Sequence, residues 1–220
     1  MNVHHAILRS FVDRGFAPTI AELSQQLGRD AAPELRALAG EHGVVLHPDD
    51  SIWIAHPFSA SPTATWVECH RPDAPAGWWA PCLWCALGIV ALAGDDLVIC
   101  ARYAGESSEA VFTVSPDRVM PPVHVHFPIA ARDAWTNVVH WCASVLPFRD
   151  PAGVDDWCER HRIARGAVVP IDQVLALARA WYANHLAADW RKHTVAEAAA
   201  IFAKVGLVGP HWALDGDGRY

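Results

Sequence analysis

Apolar residues at Val3, Ile7, Leu8, Phe11 and Val12 recur at the spacing that lines one face of a helix, and Gly15 follows them. The pattern predicts a helix over 3–14. Thr19 with Glu22 forms a capping box, in which the hydroxyl accepts from the Glu22 amide and the carboxylate reaches back. A second helix is expected from Ile20 to Leu27, stopped by Gly28. A third is expected over Ala32–Glu41, with Leu35 and Leu38 inward and Gly43 as its stop. Val44–Leu46 and Ile52–Ala55 read as a hairpin around a Pro48-Asp49-Asp50-Ser51 turn. Three short helices and a hairpin make a winged-helix pattern.

Residues 56–81 are rich in Pro, Ala and Ser and read as a linker, or as a strand with loops, at a domain boundary. The next stretch, Cys82–Leu92, is apolar on every side and predicts a buried helix with Pro81 at its first position. Strands are expected in DLVICARYA and EAVFTVSP, around a Gly105-Glu106-Ser107-Ser108 turn, and in VHVHFPI. Trp135–Leu146 mixes β-branched and aromatic residues and fits a strand or a short helix. Asp155–His161 reads as a helical turn and Asp172–Arg191 as a long amphipathic helix. A second capping box, Thr194 with Glu197, opens a last helix that ends at Gly206. The fold class is α+β. The chain divides into a winged-helix-like region (1–58), a mixed α+β core (59–180) and a C-terminal helical extension (181–220).

Composition narrows the function. Of 220 residues, 52% are hydrophobic and 19% charged, which excludes a disordered chain. The net charge of −7 argues against nucleic acid, whose phosphates want a basic face. The third helix adds no basic stripe, because Arg29 and Arg36 stand beside Asp30, Glu34 and Glu41, and the wing tip is Asp49-Asp50. The winged-helix pattern therefore reads as a structural or protein-contact module. There is no apolar run of membrane-spanning length and no secretory signal pattern near Met1, so a cytoplasmic protein without a membrane partner is expected. The tail is helical and aromatic, and Trp190 and Trp212 would suit a self-association face giving a homodimer.

Six cysteines carry the candidate chemistry: Cys69, Cys82, Cys85, Cys100, Cys142 and Cys158. Reduced thiols are expected in a cytosolic chain of this length. Cys82 and Cys85 form a C-x-x-C pair at a helix start, where the helix dipole favours thiolate. Thiolates select soft ions or redox exchange. A thioredoxin-like site would want a preceding strand, and structural zinc a second ligand pair, and neither is apparent. The alternative is two small buried residues in a core. His124 and His126 alternate onto one strand face and could pair on a metal, although no third ligand is near in sequence.

Trp84-Cys85-Ala86-Leu87 resembles the WCAL signature of organomercurial (alkylmercury) lyases. The similarity takes in the N-terminal helices, the Cys100 strand, Thr113-Val114-Ser115-Pro116, and His140-Trp141-Cys142-Ala143-Ser144 leading to Asp156-Trp157. It covers residues 3–180 in order. The resemblance implies a winged-helix-like region followed by a mixed α+β core, and protonolysis of a carbon–mercury bond. In that family one thiolate attacks mercury, a second captures it, and an acid passes a proton to the leaving carbon. No cofactor is implied, and the partner is a small organometal or a soft metal ion. Cys85 matches the first cysteine, and Cys100 a structural one. At the acid's position this chain has Gly88, and at the second cysteine's it has Thr136 or Asn137. Cys82, one turn before Cys85, is one substitute second thiol. Cys142 is another: on a strand it would share a face with residues 136, 138 and 140. His140 on that face could supply the proton. Two functions follow: a lyase acting through Cys85, or an inactive relative that binds a soft metal or organometal through Cys82 and Cys85.

Overall fold

The structure is a computed structural model that describes residues 2–216, 219 and 220. Its first three helices are α1 (Val3–Arg14), α2 (Ile20–Leu27) and α3 (Ala32–Gly40). Asn2 caps α1 by accepting from the His5 amide, and Gly15 ends it at φ 83°. Both halves of the Thr19–Glu22 capping box are formed. The basic side chains of the third-helix region are spent on ion pairs, Arg29 with Glu34 and Arg36 with Asp50.

Strands β1 (Val45–Leu46) and β2 (Ile52–Ala55) form the expected hairpin. It leads directly into β3 (Phe58–Ser59), β4 (Thr65–Glu68) and β5 (Gly77–Ala80). These three strands stand in the middle of an eight-stranded antiparallel sheet with β6 (Val98–Arg102), β7 (Glu109–Val114) and β8 (Val119–Met120). The order is β1-β2-β3-β5-β4-β6-β7-β8. Residues 56–81 are thus strands with loops and not a linker, and the sheet runs across position 58 without a break. Most of the Pro, Ala and Ser residues lie between the strands, while Trp66 and Trp79 face each other across β4 and β5 at 4.7 Å.

Helix α4 (Leu83–Ala93) lies between this sheet and α7 (Ile171–Tyr182). It has no polar face and buries nine of its eleven residues. Such a helix needs cover on all sides, which the sheet and α7 supply. Pro81 stands outside it; the cap is Cys82.

A second sheet, β10-β9-β11, is built from β9 (His124–Phe127), β10 (Leu146–Phe148) and β11 (Ala167–Pro170). Between β9 and β10 the chain forms a 3-10 helix (Ala131–Thr136) and α5 (Val138–Ala143). The segment is therefore helical up to Ala143, and residues 136, 138, 140 and 142 do not share a strand face. At helical spacing Val138 and Cys142 fall together, while His140 turns out to solvent. Helix α6 (Pro151–His161) packs on β10.

α7 is shorter than its amphipathic pattern suggests. After Tyr182 the chain folds back on α1, whose Asn2 and His5 side chains bond the carbonyls of Trp190 and Leu186 at 3.0 Å. Tertiary partners thus replace the helix's own. The last helix, α8 (Val195–Lys204), begins at a complete Thr194–Glu197 capping box. The tail tryptophans point inward: Trp190 stacks on His4 at 3.4 Å, and the buried Trp212 packs against Phe127 and Phe202. Neither offers the exposed self-association face expected of it. No helix among the described residues is long and apolar enough to cross a membrane.

Candidate active site

Cys82 and Cys85 come from the start of α4. As the helix cap, Cys82 Sγ accepts the Cys85 amide at 3.4 Å, on the positive end of the helix dipole. Cys142 comes from α5. His56, at the end of β2, brings Nε2 to 3.5 Å from Cys142 Sγ. The ligand atoms of His56, Cys85 and Cys142 all lie within 4.8 Å of one another, and this is the one three-residue cluster of possible metal ligands among the described residues. Tyr182, at the end of α7, places its hydroxyl 3.8 Å from Cys85 Sγ.

The cluster forms one wall of a small cavity of about 50 Å³. Trp84, Trp135, Trp141, Trp181 and Trp212 supply most of the rest, and the tail residues Leu214 and Tyr220 close it. Among the described residues, no carboxylate, lysine or arginine lines it. The walls brace each other: Trp84 meets Trp141 and Trp181 edge-on at 5.4 and 5.5 Å. Each such pair adds about 0.5–1.5 kcal/mol beyond its buried area.

Burial sets the charge states. It holds the His56 imidazole down at about 4, so the ring is neutral near pH 7 and has a lone pair to offer. Burial also works against charge on Cys82. Hydrogen bonds from the Cys142 and Cys85 thiols and from the Cys85 amide outweigh it and hold Cys82 well below the ordinary thiol range. Burial pushes Cys85 well up, and hydrogen bonds to its neighbouring sulfurs push Cys142 the same way. The thiolate form is thus favoured at Cys82 over Cys85 and Cys142. Of the two helix-start thiols, Cys82 is the one drawn toward the thiolate form, while Cys85 faces the cavity.

Of the residues singled out in the sequence, the fold brings Cys82, Cys85 and Cys142 together. His140 is exposed on α5 and lies outside the cavity lining. His126 bonds the Arg165 carbonyl at 2.7 Å, and with His124 it belongs to no three-ligand cluster among the described residues. Cys100 lies on β6 in the ladder with Trp66 and Val111. Gly88 packs against Tyr182: a Cβ there would collide with the ring and approach Pro57 Cβ to 3.0 Å. His56 and Tyr182 were not legible as site residues. Their partners lie 86 and 97 positions away in the chain, and no local pattern marks either one.

No curated protein matches the chain significantly in sequence. Among solved structures, the mercury-bound form of MerB2 superposes with a TM-score of 0.62 at 22% identity, covering 83% of this chain and 89% of that one. At this identity the likeness speaks for the fold. The family model of alkylmercury lyase, MerB, matches residues 58–183, which span β3 to the end of α7 and include all three clustered cysteines. With more than half of its length matched in this way, the chain belongs to the alkylmercury lyase family.

Proposed function

We propose that this protein cleaves the carbon–mercury bond of small, neutral organomercurials by protonolysis, with Cys85 and Cys142 as the mercury ligands. The observation that carries this reading is the convergence of His56, Cys85 and Cys142 within 4.8 Å on an aromatic cavity. Mercury is soft, and two thiolates are its matching ligands. The Cys82 thiolate accepts the proton of Cys85 as the Cys85 sulfur bonds mercury. Cys142, held by His56, then binds as second sulfur. In balance, R–Hg–X and two thiols give R–H, a mercury bis-thiolate and HX. With no Asp, Glu, Lys or Arg on the cavity lining among the described residues, a charged R group would lose its hydration without compensation.

The test is benzene release from phenylmercury in excess small thiol. Cys85→Ser and Cys142→Ser should each lower the rate at least ~100-fold, the scale on which a lost reacting group is felt. The second reading, capture without cleavage, is favoured by the lack of a carboxylic acid among the described residues of the cavity lining. It predicts tight 1:1 binding of phenylmercury and no benzene.

A further inference from the structure

Protonolysis needs a proton at the leaving carbon, and few groups at this cavity have one to give. The neutral His56 imidazole is a poor acid, and the indole N–H groups are poorer. Tyr220 commits its hydroxyl to the Asp215 carbonyl at 3.1 Å. Tyr182 is placed differently. Its hydroxyl reaches the cavity beside Cys85, and the sulfur at 3.8 Å is its one hydrogen-bond contact among the described residues. The phenol is buried, and burial keeps it in its protonated form. Its ring is held on both sides, by the bare Cα of Gly88 and by His185 edge-on at 4.7 Å. The bare glycine is what lets the ring lie there.

We infer that Tyr182 is the proton donor to the leaving carbon, an inference that rests on the lyase reading above. An R group on mercury bound to Cys85 occupies the same cavity of about 50 Å³ that the phenol lines. In the step, the Tyr182 O–H proton passes to carbon as the carbon–mercury bond breaks. The electron pair of that bond becomes the new C–H bond. The phenolate recovers a proton from the Cys142 thiol as that sulfur bonds mercury. Tyrosine ends unchanged, nothing is oxidised or reduced, and one hydrocarbon leaves.

The experiment compares wild type with Tyr182→Phe, which keeps the ring and removes only the hydroxyl. Phenylmercury binding is measured by titration and benzene release in a single turnover. Tyr182→Phe should bind one phenylmercury per chain as wild type does, keep its melting temperature, and release benzene at least ~100-fold more slowly, the usual size of a general-acid contribution. Placing 3-fluorotyrosine at 182, a stronger acid of nearly the same shape, should raise the rate; a purely packing role would leave it unmoved. Benzene release by Tyr182→Phe at the wild-type rate would overturn the assignment and leave the lyase reading standing, with a thiol as direct donor. A wild type that binds phenylmercury and releases no benzene would overturn both.

Discussion

Gly88 shows how much one missing side chain decides. The sequence marks it as a departure, since a residue that cannot donate a proton stands where the family resemblance implies an acid. The structure adds the reason an acid could not be put back simply: the Tyr182 ring fills the place of the side chain. Overpacking of this kind costs about 1–3 kcal/mol. Gly88→Ala should therefore lower the melting temperature by several degrees, at about 2–4 °C per kcal/mol for a chain of this size. Gly88→Asp should be worse, because it also buries a carboxylate. Differential scanning calorimetry settles it; an unchanged melting temperature for Gly88→Asp would mean the ring retreats freely. Cys82 and Cys85 were legible because their spacing is local. Cys142 was legible only as a candidate, since its contact depends on α5 meeting α4. His56 needed the tertiary fold to matter at all.

At the scale of elements, local signals read well wherever the physics is local. Both capping boxes and the helix stops at Gly15 and Gly28 formed as the residues imply. The misreadings arise where tertiary contacts outweigh propensity. Where the residues left Trp135–Leu146 open between a strand and a short helix, the Asn137 cap and the fit of Trp141 and Cys142 to the core decide for the helix. The tail after α7 is the clearest case. Its hydrophobic pattern continues the helix, but Trp212, Leu214 and Tyr220 instead close the cavity. The pocket is therefore sized partly by residues outside the family-matched 58–183 segment. Trp212→Ala should cost roughly 3–5 kcal/mol as a buried large-to-small change. It should also raise the rate on a naphthylmercury relative to a phenylmercury. An unchanged ratio of the two rates would show that the tail does not set the size of the substrate.

Over the whole molecule, the N-terminal helix and the C-terminal tail meet in a layer of buried imidazoles. His4 on α1 stacks on Trp190 and meets His185 edge-on at 5.8 Å, and His185 in turn faces Tyr182 and His193. Among the described residues, the Nδ1 atoms of His4 and His185 have no hydrogen-bond partner. Burial lowers His4 to about 3 and pushes His185 well down, with the neighbouring imidazoles adding to both. Both rings are thus neutral in the folded chain, while the unfolded chain binds protons on them from about pH 6.5 downward. The unfolded state then holds more protons than the folded one, so stability is full above pH 6.5 and falls as pH drops toward the folded values. For His4, the interval from 6.5 to pH 5 corresponds to about 2 kcal/mol at 1.36 kcal/mol per unit. That is a large share of the ~5–15 kcal/mol that holds a domain together. Urea midpoints should therefore fall steeply between pH 6.5 and 5, and His4→Phe, which keeps the stack on Trp190 and removes one titrating ring, should flatten the fall. An equally steep fall in His4→Phe would place the acid sensitivity elsewhere. Because this layer lies behind Tyr182 and the tail, the same protonation should loosen the cavity wall before the central sheet gives way.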